Sequence, residues 1–299
     1  MADLARRGVE GAQLERVQFR MLCDRVRDYC GLQLGERSSV RVGRRVSERM
    51  DRLGESSVAA YSYALREGPE SRRELDRLVD ALTDKETFFL REGEALRALV
   101  GQVLPQRLRA VEGGPVRIRS AGCASGEEPY TIAMLAAEAD LRLGVDLEVF
   151  GSDIAASALA RARRGVFGPS SLREVPAPLR ERYFEPREGR FRICDALRSN
   201  VEFVASNLME LRRIDWLAPL DVIVCRNVLT EFAPDARDRV VESFYRALRP
   251  GGVLLPGRSD RWDLSRLDFE PISLADTVAY RRPARGEGAT GAWRPDPAD

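Results

Sequence analysis

Apolar positions fall into two different rhythms along the chain. Over residues 14–104 they recur at helical spacing. Phe19, Leu22, Val26 and Tyr29 stand at i, i+3, i+7 and i+10, and that stripe stops at Gly31. Ser38 or Ser39 can cap a second helix, with Val42, Val46, Met50 and Leu53 on one face and Gly54 at its end. Residues 61–67, 72–82 and 94–108 repeat the pattern. After Gly113-Gly114-Pro115 short apolar strands alternate with helices: VRIRS (116–120), LEVFGSD (147–153) and DVIVCRN (221–227), with GVLLP and TVAYR later. Amphipathic stretches follow to about Asp140, to Arg164, and over 234–248. Such alternation predicts a parallel, doubly wound α/β sheet. Between Gly165 and Asn207 the rhythm breaks. YFEPREGRFRI reads as a hairpin about Pro186–Gly189, and VEFV (201–204) as a further strand of a small antiparallel insertion.

Composition narrows the chemistry. With 299 residues, 44% of them apolar, the chain can bury one large core or two ordinary ones. Its apolar runs are too short to span a bilayer, and MADLARRGVEGAQLERVQF has no secretory core, so no membrane insertion is expected. Five scattered cysteines without a CxxC pair suit free thiols in a reducing cytoplasm. A net charge of +1 argues against a nucleic-acid partner. There is no histidine. Histidine bases, catalytic triads and the commonest zinc sites are thereby excluded, and no metal is expected. Any catalysis must run on carboxylates, arginines, amides and a cofactor.

The turn after the first strand, SAGCASGEEPY (120–130), is where a doubly wound sheet binds its ligand. It carries neither GxGxxG nor the Gly-Lys-Ser/Thr of a phosphate loop; Glu127 and Glu128 follow Gly126 instead. An acidic turn disfavours pyrophosphate and suits a ligand with an amino group and a sulfonium. Asp153, ending the second strand, can accept both hydroxyls of a ribose. S-adenosyl-L-methionine meets both conditions, with Gly122 and Gly126 letting the backbone turn beside it. The two glutamates also suit the positive end of the helix dipole, which explains them without any ligand.

DALTDKETFFLRE, SAGCASGEEPYTIAM, FGSDI, VASNL, DVIVCRNVLTEF and RPGGVLLPGRSD resemble, in order and spacing, the chemotaxis receptor methyltransferases of the CheR family, from about Phe19 to Tyr280. The resemblance implies an α/β fold in which an all-helical N-terminal domain (14–90) precedes a Rossmann-like S-adenosylmethionine-dependent methyltransferase domain (91–282). It places a β-subdomain insertion at 176–204, and the composition of RPARGEGATGAWRPDPAD predicts a disordered tail (283–299) beyond the resemblance. The resemblance also implies a cytoplasmic, monomeric glutamate O-methyltransferase whose partners are the cytoplasmic helices of methyl-accepting chemotaxis receptors. Carried over position by position, the cofactor residues are Thr87, Arg91, Glu128, Asp153, Asn207, Leu208, Asn227 and Val228. Arg91 also stands near the reacting centre as the catalytic residue. The arginine-rich second helix implies receptor docking through Arg41, Arg44, Arg45 and Arg49.

A substrate glutamate, with an ordinary pKa of about 4.3, is ionised near neutrality and needs no base, which fits a chain without histidine. Three positions depart from the family. Lys85 replaces a usual asparagine and brings an ammonium toward a cationic cofactor unless it turns away or pairs with an acid such as Glu127. Glu231 replaces a usual tyrosine and would repel an incoming carboxylate. Gly257-Arg258-Ser259-Asp260 replaces GxSE. These departures keep open an alternative: a regulatory or scaffold protein that binds the cofactor with little or no methyl transfer. The short PREG loop of the hairpin suits an enzyme that needs no receptor-tail tether.

Overall fold

The structure, a computed structural model, describes residues 16–284 apart from 67–69, 112, 211–218, 261, 263 and 265. Helices α1 (Arg16–Cys30), α2 (Ser39–Leu53), α3 (Val58–Ala64) and α4 (Ser71–Leu82) close around one apolar core. Phe19, Leu22 and Val26 meet Val42, Val46, Tyr61, Leu75, Leu78 and Leu82 there. Each of the leucines removed from water contributes about 1.5–3 kcal/mol. Leu53, expected on the inner face of α2, lies at the helix end and is 43% exposed.

Arg49 is a correction to the docking helix. Seven residues after Val42, it shares the buried stripe, and its guanidinium turns into the helical domain. Nε and Nη2 donate to Glu74 Oε1 and Oε2 at 2.8 and 2.5 Å, and Tyr61 Oη donates to the same carboxylate at 2.9 Å. A buried carboxylate thus pairs with this arginine inside the domain, away from the exposed face where docking was expected.

The second domain opens with α5 (Gly93–Ala98), a π-helical turn at Leu99–Val103 and α6 (Leu104–Ala110), where one continuous helix was expected. There follow β1 (Val116–Ala121), α7 (Glu127–Glu138), β2 (Leu147–Asp153), α8 (Ala156–Arg164) and β3 (Val166–Phe167). Next come α9 (Ala177–Tyr183), β4 (Phe184–Arg187), β5 (Arg190–Ile193), α10 (Asp195–Arg198) and β6 (Val201–Ala205). The chain ends with β7 (Leu220–Cys225), α11 (Pro234–Ala247), β8 (Leu248–Pro256), β9 (Glu270–Leu274) and β10 (Thr277–Arg281). Seven strands form one sheet in the order β6-β2-β1-β7-β8-β10-β9, the first five parallel and β10 antiparallel to both its neighbours, β8 and β9. All six residues of β7 are buried, as a central parallel strand covered on both faces requires.

The hairpin falls where expected, as β4 and β5, but its partner differs. The small sheet runs β3-β5-β4, and 201–205 leaves it to become the parallel edge strand beside β2. Val201 and Phe203 are buried while Glu202 is exposed, an alternation that serves either sheet equally. Phe203 decides by packing edge-on to Tyr130 of α7, ring centroids 5.3 Å apart. The expected tail lies outside the described residues from position 285. Among the described residues no helix is long and apolar enough to cross a membrane.

From β1 the chain winds outward to β2 and β6, then returns to lay β7 on the other side of β1. The crevice beyond the carboxyl ends of β1 and β7 is the topological switch point, where such sheets bind ligands.

Candidate functional site

That crevice holds a cavity of about 380 Å³, and all eight residues expected to hold the cofactor line it. The size suits a small-molecule site, for which about 300–1,000 Å³ is ordinary. The helical domain supplies part of the wall through Cys30, Leu32 and Arg41. A short antiparallel bridge fixes that wall: Gln33 N donates to Glu231 O at 2.8 Å and Ala233 N to Gly31 O at 2.9 Å.

The β1–α7 turn is anchored by Gly122 N and Cys123 N donating to Ser152 O at 2.8 and 3.0 Å. Gly122 has φ +75°, and a Cβ there would stand 2.4 Å from Val228 Cγ2 at the cavity wall. Gly126 serves another end than expected. At φ +93° its missing Cβ makes room for Ala162 and the Phe203 ring, a helix–strand contact away from any ligand. The two glutamates also part company. Glu127 turns into the protein, 2% exposed, and accepts from Ser171 Oγ at 3.0 Å; burial pushes its carboxyl up. Only Glu128 reaches the cavity. Its Oε1 accepts from Ser120 Oγ and its Oε2 from Arg226 Nε, both at 2.7 Å.

Asp153 is set by two backbone amides, Ala124 N to Oδ2 and Ala155 N to Oδ1, each at 2.8 Å. Each oxygen keeps a lone pair for a hydroxyl donor. Burial raises its carboxyl above the ordinary value, and those two amides partly oppose the rise. Asn207 is pinned across the domain boundary: Nδ2 donates to Tyr29 O at 2.7 Å and Oδ1 accepts from Met209 N at 3.0 Å. Leu208 beside it is buried. Asn227 sits at φ +57°, its N–H on Asp260 Oδ2 at 3.2 Å and its Nδ2 on Glu92 Oε1 at 3.4 Å.

Thr87 and Arg91 come from the segment between α4 and α5. Leu90 and Glu92, on either side of Arg91, have φ +62° and +49°, a conformation non-glycine residues adopt only under constraint. Arg91 Nη1 donates to Glu86 O at 3.0 Å. Of the docking arginines, Arg41 reaches the cavity itself. Arg44 and Arg45 pair with Glu48 on the surface of α2, at 3.9 and 2.8 Å.

Lys85 turns away from the cavity. It pairs with Asp80 Oδ1 at 2.7 Å and not with Glu127. Asp80 also accepts from Ser157 N and Oγ at 2.9 and 2.6 Å, so the ammonium is held at the α4–α8 contact. Glu231 does line the cavity, exposed and without an ion pair among the described residues.

Sequence reading gave no site role to Arg226, Glu92 or Asp260. Arg226 is 6% exposed and contacts Glu128, Glu92 and two backbone carbonyls. Asp260 accepts from Gly257 N at 2.8 Å, and burial pushes its carboxyl up. For Arg226 the available signal was a charged residue directly after the apolar run Val222–Cys225, where a guanidinium must find partners.

Two carboxylates in one cavity, Asp153 with lone pairs left for a diol, beside the apolar Leu208 and Val228, fit an adenosine cofactor that carries a sulfonium amino acid. Fold and site together define an S-adenosylmethionine-dependent methyltransferase with a helical front domain.

The chain belongs to the CheR methyltransferase family. Residues 85–278 match the family's SAM binding domain and residues 18–83 its all-alpha domain. It is 35% identical over 248 residues to chemotaxis protein methyltransferase 2 of Vibrio cholerae serotype O1, covering 82% of this chain and 86% of that one. Chemotaxis protein methyltransferase 2 of Pseudomonas aeruginosa is 34% identical over 253 residues, 83% of this chain and 87% of that one. The probable biofilm formation methyltransferase WspC of Pseudomonas putida is 31% identical over 265 residues, 88% of this chain and 60% of that one.

Proposed function

We propose that this methyltransferase esterifies glutamate side chains of methyl-accepting receptors, working as a cytoplasmic monomer. One observation carries the reading: Arg41 and Arg91 border the same cavity as Glu128 and Asp153. Cationic groups for an incoming carboxylate thus share a cavity with acceptors for the cofactor. Relatives bear both chemotaxis and biofilm-formation names, so receptors of either kind are candidate substrates.

The bound cofactor supplies a methyl group on a sulfonium. In this reading Glu128 faces the cofactor's cationic amino-acid end and Asp153 its ribose hydroxyls. Asn207 and Leu208 take the edge and face of adenine, while Asn227, Val228 and Thr87 close around the methionine end. Arg91 holds the target carboxylate, which is already ionised and gives up no proton. Positioning and exclusion of water are then the chain's main contributions, worth an effective molarity of about 10⁵ M or more in well-oriented reactions. Arg41, Arg44 and Arg45 face the acidic receptor helices.

Transfer of labelled methyl from S-adenosylmethionine to receptor-containing membranes, as a base-labile ester, tests this. No label above a Glu128→Ala control, with several receptors tried, sinks it. Glu231 favours a second reading, cofactor binding without turnover, because its carboxylate lines the cavity with no ion pair among the described residues. That reading expects S-adenosylhomocysteine to bind, no methyl to move, and Glu231→Tyr to restore transfer.

A further inference from the structure

Arg226 has no part in those roles, although its side chain is only 2% exposed. It follows the fully buried strand β7 directly, so its head must be paired within the protein. All three of its nitrogens are engaged. Nε donates to Glu128 Oε2 at 2.7 Å, Nη2 to Arg91 O at 2.7 Å, and Nη1 to Glu92 O at 3.3 Å with Glu92 Oε2 at 3.5 Å. One end of this fork grips the acid in the first turn of α7. The other grips two consecutive carbonyls of the turn that carries Arg91. That turn has positive φ at Leu90 and Glu92, a conformation that persists only where its surroundings hold it.

We infer that Arg226 is a positioning residue for methyl transfer: its buried guanidinium ties Glu128 to the Arg91 turn. The acid that faces the cofactor and the arginine that faces the target carboxylate are thereby set at a fixed separation. Ser120 Oγ holds the other oxygen of Glu128, so the carboxylate is oriented from both sides. Only a planar fork reaches a carboxylate and two carbonyls at once; lysine keeps the charge and loses the geometry. The inference rests on the S-adenosylmethionine site proposed above and not on the identity of the methylated protein.

A double-mutant cycle on the full chain tests it, with S-adenosylhomocysteine titrated calorimetrically into wild type, Arg226→Lys, Glu128→Gln and the pair. Arg226→Lys is expected to weaken binding about tenfold at near wild-type thermal stability, and about twofold or less once Glu128→Gln has removed their contact. An equal loss in both backgrounds, which a general structural role gives, overturns the inference; so does wild-type affinity in Arg226→Lys. Should Arg226→Lys not fold, Glu128→Gln decides through hydrogen exchange. Faster exchange at residues 90–93 supports the tie, and unchanged exchange overturns it. If wild type itself fails to bind S-adenosylhomocysteine, the cofactor site falls and this inference with it. Binding by wild type with no effect of Arg226→Lys defeats this inference alone.

Discussion

Arg49 and Glu74 face each other inside the helical domain with two contacts, at 2.8 and 2.5 Å, and their side chains are only 10% and 4% exposed. A pair so placed is expensive to break from one side. Arg49→Ala leaves the buried Glu74 carboxylate with Tyr61 and a longer contact to Arg77 at 3.8 Å, and should destabilise the helical domain by about 3–5 kcal/mol. Thermal unfolding and methyl transfer should fall together. Arg41→Ala, Arg44→Ala and Arg45→Ala should stay within about 0.5 kcal/mol of wild type. Their effect should be a raised KM for the receptor. An Arg49→Ala variant of wild-type stability with only a raised receptor KM would return Arg49 to the docking face.

Gly122 and Val228 make a second close relationship, with a Cβ at Gly122 falling 2.4 Å from Val228 Cγ2 and φ at +75°. Gly122→Ala therefore adds backbone strain and a steric clash, together about 2–5 kcal/mol. It should also push Val228 into the cavity and weaken S-adenosylhomocysteine binding. Val228→Ala in the same chain removes the clash but not the φ strain, so partial recovery of affinity is expected. No recovery in the double variant would mean that the backbone conformation alone makes glycine necessary.

These relationships mark where sequence reading stops. β2 and β7 are legible because strands buried on both faces carry short apolar runs ending in polar residues, which places Asp153 and Asn227 at the sheet's carboxyl edge, whereas β1, with Arg117 and Arg119 in it, shows through the glycine turn that follows it. β6 is legible as a strand but not by sheet, since its alternation suits either neighbour. β9 goes unseen: Glu270–Leu274 begins Glu-Pro, a pairing typical of a turn and tolerated here because β9 is an edge strand. Arg49 lies three residues after Val46, a spacing that already places it on the inner face. Its partner Glu74 is 25 residues away, and nothing local announces it. Arg226 and Glu128 are 98 residues apart, and only the fold brings them into contact.

Asp153 gives the site a pH dependence of definite sign. Burial raises its carboxyl above the ordinary value of 3.8, so the folded protein keeps this proton at pH values where the unfolded chain has lost it. Its contribution to stability is therefore greatest below 3.8 and is lost as pH rises through the folded value. With Asp153 facing the ribose as proposed, cofactor binding should run the opposite way, because hydroxyls donate to the ionised form. S-adenosylhomocysteine affinity should begin to fall on acidification at a higher pH than an ordinary aspartate allows. Binding there should release protons, seen as an enthalpy that depends on the buffer. Asp153→Asn should bind more weakly at neutral pH and lose this acid limb, which separates it from the titration of Glu127 and Asp260. A wild-type affinity that stays flat through that range contradicts the role given to Asp153.

Lys85 supplies the last expectation. Its ammonium is held by Asp80 at 2.7 Å, with Ser157 on the same carboxylate, turned away from the cavity. Removing it should not tighten cofactor binding: Lys85→Asn is expected within about threefold of wild-type affinity at neutral pH, since a partly exposed pair contributes only about 0–1 kcal/mol. Its charge does act on Asp153, drawing that carboxyl down against the effect of burial. Lys85→Asn should therefore raise the Asp153 carboxyl further and move the acid limb of binding to higher pH. Glu231→Tyr is the contrasting variant, because Glu231 lines the cavity and carries no ion pair among the described residues. It should change receptor turnover while leaving the Asp153 limb in place. Tighter neutral-pH binding by Lys85→Asn, with an unmoved acid limb, would show that the lysine reaches the cofactor after all.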